Sequence, residues 1–352
     1  MRELIRYVLV PALVGGLVGL AVMYFNGDSG STGDRPGYAA AVKRAAPAVV
    51  NIYSTKVVTP PICQLPQFRQ WCDRISGPDD HIQSSLGSGV IVREDGYVLT
   101  NNHVIAGADE ILVAFSNGEA TTAQVVGSDP ETDLAVIRVN ASGLTAIPIG
   151  EPEGVQVGDV ALAIGNPFGI GQTVSLGIVS ATGRTGISNS PYNDFIQTDA
   201  AINPGNSGGA LIDADGFFIG LNTLIFSRSG GSEGIGFAIP ARLALSVLDE
   251  IVETGRVTRG WLGVVLAATP PPGAGVGLEV ISVEAGGPAA QAGVQPGDLI
   301  VAVDGQPAVS STGVSRQIAH AEPGTEIGID LLRGGQSVTL TARSGERPSS
   351  GL

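Results

Sequence analysis

The chain has 352 residues, enough for two packed domains with appendages, and its 43% apolar residues suffice for real cores. Fifty-one glycines against 5% aromatic residues favour a turn-rich β protein over long helices, because glycine weakens helix interiors and supplies the left-handed positions that hairpins need. A formal charge of −14 speaks against general nucleic-acid binding, which requires a basic footprint to displace counterions from phosphate.

Taken from the N-terminus, the chain opens with Arg2 and Arg6 and then runs nineteen residues, Tyr7 to Phe25, without a charge. A helix over this stretch spans about 30 Å, the thickness of a bilayer core. The two arginines belong on the cytoplasmic side, so everything after residue 26 is expected outside the cytoplasm. A cleaved signal peptide would have a shorter apolar region ending in small residues; this one ends Met23-Tyr24-Phe25, which favours an uncleaved anchor over residues 1–26. Residues 27–37, rich in Gly, Ser and Asp, read as a flexible tether. Cys63 and Cys72 follow, close together in PPICQLPQFRQWCDR. Outside the cytoplasm such a pair is most simply a disulfide closing a small loop, worth about 2–3 kcal/mol in the chain-entropy model. A metal site with Asp79, Asp80 and His81 is disfavoured because the CxxC spacing of zinc sites is absent. No metal or other cofactor is called for.

About a dozen short apolar or alternating runs come next, from VVNIYS to GIGFAI, separated by turn signals and without intervening helices. They indicate a barrel or sandwich, and their number is large enough for two barrels with a break near residues 143–157. PARLALSVLDEIVETG then carries Ala244, Val247, Leu248, Ile251 and Val252 at helical spacing, with Gly255 as a C-terminal stop. That helix closes a first globule over residues 38–256. Residues 259–345 form a second unit, with strands near GLEVISV, LIVAVDG, EIGIDLLR and QSVTLTAR, and helices near GGPAAQAG and SSTGVSRQIAH.

NPGNSGGAL, residues 203–211, has the most chemical content. A serine in a glycine-rich turn can expose its hydroxyl while neighbouring amides converge where a carbonyl oxygen turns negative. Ser207 is the expected nucleophile, and the N–H groups of Gly205 and Ser207 are the expected oxyanion donors. A base and an orienting acid must accompany it. Of three histidines, His103 sits in LTNNHVI at the end of an apolar strand, and thirty residues on Asp133 precedes another strand in SDPETDLAVI. Asp109 and Asp129 are neighbouring acids, and Asp129 fits better as a cap of the turn at Pro130. The order His103, Asp133, Ser207 would put the first two in one barrel and the serine in the other, with catalysis in the cleft between them.

TNNHV, DPETDLAVI and GNSGGAL, in this order and with these gaps, resemble the HtrA (Deg) serine endopeptidases, a branch of the chymotrypsin-like double-barrel enzymes. The resemblance spans about residues 38–345. It implies a mostly β fold: a protease of two barrels over 38–256, then one α+β PDZ domain at 259–345, with the N-terminal segment as a transmembrane helix. Ala201 stands where trypsin-like enzymes carry a buried acid, so a Lys or Arg preference is not expected. By resemblance the S1 walls are Ile202, Phe226 and Ile235, suited to a small or medium apolar side chain. Asn206 replaces the acid with which zymogens capture a new N-terminus, so control should come from loop ordering, with Arg184 at the position of the family's sensor-loop arginine. GWLGV, containing Trp261, Leu262, Gly263 and Val264, is similar to a PDZ carboxylate-binding loop; protein C-termini are its implied ligands. One anchor, one protease and one PDZ domain resemble the stress-sensing branch of the family. That branch is a homotrimer facing the periplasm from the inner membrane. Exposed C-termini of misfolded outer-membrane proteins activate it, and it cuts a regulatory membrane protein such as an anti-sigma factor. Two alternatives stay open. One is a general quality-control protease or chaperone, kept in view by the long segment from about Val58 to Ser85; the other is a non-enzymatic PDZ adaptor.

Overall fold

The computed structural model describes residues 37–57 and 82–348, apart from 152, 153, 188, 189, 191, 193, 228, 229 and 274. The anchor at residues 7–25, the tether up to residue 36, and the pairing of Cys63 with Cys72 all lie outside the described residues. Among the described residues no helix is long and apolar enough to cross a membrane.

After a short helix, α1 (Ala39–Ala45), six antiparallel strands close a first barrel: β1 (Val49–Val57), β2 (Ile82–Ile91), β3 (Tyr97–Asn101), β4 (Glu110–Ala114), β5 (Ala120–Asp129) and β6 (Leu134–Val139). Between β3 and β4 a single turn of helix, α2 (Asn102–Ile105), interrupts the pattern. A second closed barrel follows: β7 (Val160–Gly165), β8 (Thr173–Arg184), β9 (Phe195–Thr198), β10 (Ala210–Ile212), β11 (Phe218–Ile225) and β12 (Gly236–Pro240). The gap between β6 and β7 falls where the hydrophobic pattern lapses. Strands β6 and β7 read LAVIRV and VALAIG and are buried almost throughout, because side chains of small barrels fill the interior while the outer face is covered by neighbouring elements.

The helix α3 (Ala241–Thr254) lays Ala244, Val247, Leu248 and Ile251 against both barrels, touching β5 and β6 of the first and β11 and β12 of the second. Burial of each larger apolar side chain contributes about 1.5–3 kcal/mol, so this one face fastens the two halves together. Its end is set by Gly255, whose φ of 81° is readily adopted by glycine, and whose N–H caps the Ile251 carbonyl. Gly127 on β5 lets the helix end come close: a Cβ there would stand 2.4 Å from the Gly255 carbonyl oxygen.

In the C-terminal domain, β13 (Gly260–Trp261) pairs with β20 (Gly345–Glu346). A sheet in the order β14 (Val264–Leu266), β15 (Leu278–Val283), β16 (Leu299–Val303), β18 (Glu326–Arg333), β19 (Gln336–Arg343) carries β17 (Gln306–Pro307) off β16. Two helices, α4 (Pro288–Ala292) and α5 (Ser311–Ala319), complete the unit, with Ser310 capping α5 by accepting from the Gly313 N–H. Val280, Ile300, Val314, Ile327, Ile329 and Leu331 are among the residues of its separate core.

Candidate active site and peptide groove

Asp133 closes the turn between β5 and β6 with φ 58°, one of two described non-glycine residues in the left-handed region. Asp adopts that region more readily than most residues, and here the surroundings enforce it. Its carbonyl accepts from the Asn102 N–H at 3.0 Å and from Asn101 Nδ2 at 3.0 Å, while Oδ1 accepts from the His103 N–H at 3.0 Å. With the backbone thus fixed, Oδ2 lies 2.7 Å from His103 Nδ1. The histidine does not end β3 as its sequence suggests. It sits on α2: the Asn102 N–H still bonds the Asp133 carbonyl in the β3–β6 register, but the His103 N–H goes to the Asp133 side chain and the chain turns into a helix there.

The second barrel supplies the serine. Asn203 to Ser207 turn back on themselves, the Asn206 N–H donating to the Asn203 carbonyl at 2.9 Å, with Gly205 at φ 99°. Gly208 must be glycine twice over: its φ is 83°, and a Cβ would stand 2.1 Å from the Ser88 carbonyl oxygen. That closeness fastens the turn to the first barrel. The Ser88 N–H donates to the Ser207 carbonyl at 2.8 Å, Ser88 Oγ donates to the Gly205 carbonyl at 2.7 Å, and Thr100 Oγ1 donates to the Ser88 carbonyl at 2.8 Å. Among the described residues no acceptor takes the N–H of Gly205 or of Ser207. Ser207 Oγ donates to the Thr223 carbonyl at 3.0 Å, and Thr223 Oγ1 donates to Asp133 Oδ2 at 2.9 Å. Thr223, on β11, carries no motif that would single it out in the sequence.

The remaining expected site residues fall as follows. Ile202 is buried in the second barrel's core, against Gly236, where a Cβ would meet its side chain at 2.9 Å. Phe226 is 61% exposed, its N–H donating to the Ile235 carbonyl at 3.0 Å. Arg184 ends β8, and its Nε donates to Gln197 Oε1 at 3.0 Å. Asn206 is buried beside Gly165. Asp129 caps its turn as expected, accepting from the Glu131 N–H at 3.3 Å, and is also gripped by both Nη atoms of Arg259.

In the C-terminal domain a groove of about 630 Å³ runs along β14, with Leu262, Gly263, Val283, Ser315 and Ile318 among its lining. The β14 strand is the edge of its sheet, so one side of its backbone is unpaired. Because the Glu284 N–H donates to the Gly263 carbonyl, Val264 and Val283 form a non-hydrogen-bonded pair, and the Val264 N–H and C=O point away from the sheet, toward the groove. Gly263, at φ 74°, turns the preceding loop. Two protease-domain features reach this region: Tyr192, whose hydroxyl burial holds above its ordinary pKa, and Glu131.

The comparisons with known proteins agree with this geometry. Residues 87–221 match the family model described as a trypsin-like peptidase domain and residues 249–343 the one described as a PDZ domain. Serine endoprotease DegS of Escherichia coli (strain K12) is 41% identical, over 99% of each chain. A probable periplasmic serine endoprotease, DegP-like, of Pseudomonas fulva (strain 12-X) is 38% identical over 97% of this chain and 77% of its own length. Among solved structures, the HtrA-type protease AlgW with a decapeptide is 50% identical with a TM-score of 0.78, over 89% of this chain and 99% of that one. The serine endoprotease of Yersinia pestis is 43% identical with a TM-score of 0.71, over 89% of this chain and 98% of that one.

Proposed function

The chain belongs to the HtrA family of trypsin-like serine endopeptidases, and on that premise we propose that it is a DegS-like regulatory protease of the cell envelope. His103, Asp133 and Ser207 are its triad: the imidazole takes the Ser207 proton, Asp133 holds the Nδ1 tautomer, and the amides of Gly205 and Ser207 receive the oxyanion. The observation that carries this is the 2.7 Å contact of His103 Nδ1 with Asp133, joined through Thr223 to the hydroxyl of Ser207. Attack needs the Ser207 hydroxyl to leave the Thr223 carbonyl for the imidazole. Ile202, Phe226 and Ile235 form the specificity walls, and with Ala201 in place of an acid they favour a small apolar side chain before the scissile bond.

Residues 7–25 anchor the protein in the inner membrane, supported by their length, their flanking arginines and the full-length match to DegS, and the catalytic and PDZ domains face the periplasm. The groove along β14 takes the free C-termini of misfolded outer-membrane proteins as an added strand; that the related AlgW is described with a decapeptide is in keeping with this. The active form is a homotrimer, Arg184 relays the peptide signal, and the substrate is a regulatory membrane protein such as an anti-sigma factor. The DegP-like likeness favours a second reading, general degradation of unfolded periplasmic proteins.

One experiment separates the readings: label Ser207 with a fluorophosphonate, and follow cleavage of an apolar-P1 peptide with and without added C-terminal peptides. A regulator is nearly silent until the peptide is added. Rapid digestion of casein by the unliganded chain would favour the degradative reading, and absence of labelling under every condition would favour an adaptor without enzymatic activity.

A further inference from the structure

The peptide groove is not walled by the PDZ domain alone. Tyr192, from the loop leading into β9, and Arg347, just past β20, line it together with Trp261 and Leu262. Strand register puts Arg347 there: Gly260 pairs with Glu346, Trp261 with Gly345, and the Arg347 N–H donates to the Arg259 carbonyl at 3.0 Å. Its side chain is committed to the protease domain. Nε lies 3.0 Å from Glu131 Oε1, Nη1 donates to the Tyr192 hydroxyl, and the guanidinium stands 5.4 Å from the Tyr192 ring centroid. Arg259 stands 4.6 Å from the same centroid while holding Asp129, so the ring is gripped by two cations.

Two features of this arrangement bear on a ligand. Among the described lining residues Arg347 is the only cation and Glu284 the only acid, so a carboxylate seated on backbone amides beside Glu284 has one counter-charge within the groove. Glu131, the present partner of Arg347, lies on the same turn as Asp133, two residues away.

We propose that Arg347 serves two carboxylates in alternation: Glu131 in the unliganded chain, and the terminal carboxylate of a peptide held by Leu262, Gly263 and Val264 when the groove is filled. The assignment rests on the groove being a C-terminal peptide site. Arg347 is 38% exposed and lines the groove, so the exchange asks its side chain to swing along the groove toward the Leu262–Val264 amides while the β13–β20 pairing is kept. Filling the groove then withdraws the cation from the turn that carries Asp133. By linkage the effect is reciprocal: whatever the peptide takes from the Glu131 pair, loss of the Glu131 carboxylate returns to peptide binding.

The test is fluorescence anisotropy on the full chain in detergent, carrying Ser207→Ala to prevent cleavage, with one labelled apolar-ended peptide as free acid and as C-terminal amide. Wild-type groove residues should bind the acid at least about tenfold more tightly than the amide, and Arg347→Met should remove about five- to tenfold from the acid while leaving the amide unchanged. Glu131→Gln should tighten the acid about threefold, a gain that misfolding cannot produce, and the double variant should match Arg347→Met alone. Equal weakening of acid and amide by Arg347→Met, or no gain from Glu131→Gln, overturns the assignment while leaving the groove a peptide site. A chain that binds neither peptide overturns the groove reading and this assignment with it.

Discussion

Thr223 and Asp133 are 90 residues apart and belong to different barrels, yet the threonine Oγ1 donates to the aspartate Oδ2 at 2.9 Å. The same carboxylate oxygen meets His103 Nδ1, and the Thr223 carbonyl accepts from Ser207 Oγ. One residue of β11 therefore touches the Asp133 carboxylate with its side chain and the Ser207 hydroxyl with its backbone, the acid and nucleophile of the proposed triad. Removing the hydroxyl alone should loosen the acid without touching the substrate. Thr223→Val is expected to lower kcat about 10- to 100-fold, since a hydrogen bond to a charged group is worth about 1.5–3 kcal/mol, with little change in KM. Thr223→Ser should restore most of the rate. If KM rises in proportion while kcat is kept, Thr223 shapes substrate binding and does not position the acid.

In the proposed triad Asp133 does two jobs, and variants separate them. Asn accepts the left-handed backbone and keeps the shape, but cannot hold the imidazole in the productive tautomer, so Asp133→Asn should fold normally and lose roughly four orders of magnitude in kcat. Asp133→Ala should lose activity and also melt earlier, because φ 58° strains alanine. Ser207→Ala should abolish cleavage while leaving the melting temperature and peptide binding unchanged. Melting curves and single-turnover rates on the three purified variants check this; an Asp133→Asn enzyme within tenfold of wild type would remove Asp133 from its role.

The order of elements, the two-barrel division and the closing helix were legible in the chain because each rests on local pattern: short β-runs bounded by turn residues, and Ala244, Val247, Leu248 and Ile251 at helical spacing ended by Gly255. That His103, Asp133 and Ser207 belong to one neighbourhood was legible because their flanking residues are chemically constrained; Gly208, for instance, has no room for a Cβ. What stayed hidden depends on contacts between distant segments. Thr223 is an ordinary strand threonine until β11 is laid against the Asp133 turn. Arg259, Arg347 and Tyr192 carry no motif that singles them out, because their meaning arises only where the PDZ domain meets the protease. His103 was placed at the end of a strand because the apolar run says nothing of the Asp133 carboxylate that takes the His103 N–H where α2 begins.

The glycine constraint can be tested directly. Gly208→Ala would bring a methyl to 2.1 Å from the Ser88 carbonyl oxygen at a φ that alanine resists. The backbone has to move, and the Ser88 bonds that hold the serine turn move with it. A loss of at least about 2 kcal/mol in unfolding free energy is expected, together with loss of fluorophosphonate labelling. By contrast Gly118→Ala, at φ 88° in open space, should cost about 1 kcal/mol and leave labelling intact. Equal effects of the two would mean that the Ser88 contact does not order the turn.

The PDZ domain should have an acid limit of its own. Asp298 is 2% exposed; Arg333 donates to it through Nε and Nη2, each at 2.7 Å, and the Gln295 N–H donates at 2.8 Å. The hydrogen bonds from Arg333 hold its carboxyl below the usual range, against the opposing effect of burial. A group whose pKa is lower in the folded state stabilises the fold in full above its unfolded value, about 3.9 for Asp, and that stabilisation drains away as pH falls through the folded value. Melting of the full chain should therefore show a C-terminal transition that is flat from pH 7 to 5 and descends steeply below about pH 4. Asp298→Asn removes both the charge and its titration: the transition should start lower at pH 7 and lose its steep acid limb, so that the two curves converge at the acid end. Because Asp298 lies at the β15–β16 side of the sheet, away from the groove along β14, the folded variant should bind C-terminal peptides at pH 7 as the wild type does. An unchanged acid limb in Asp298→Asn would place the titrating group elsewhere.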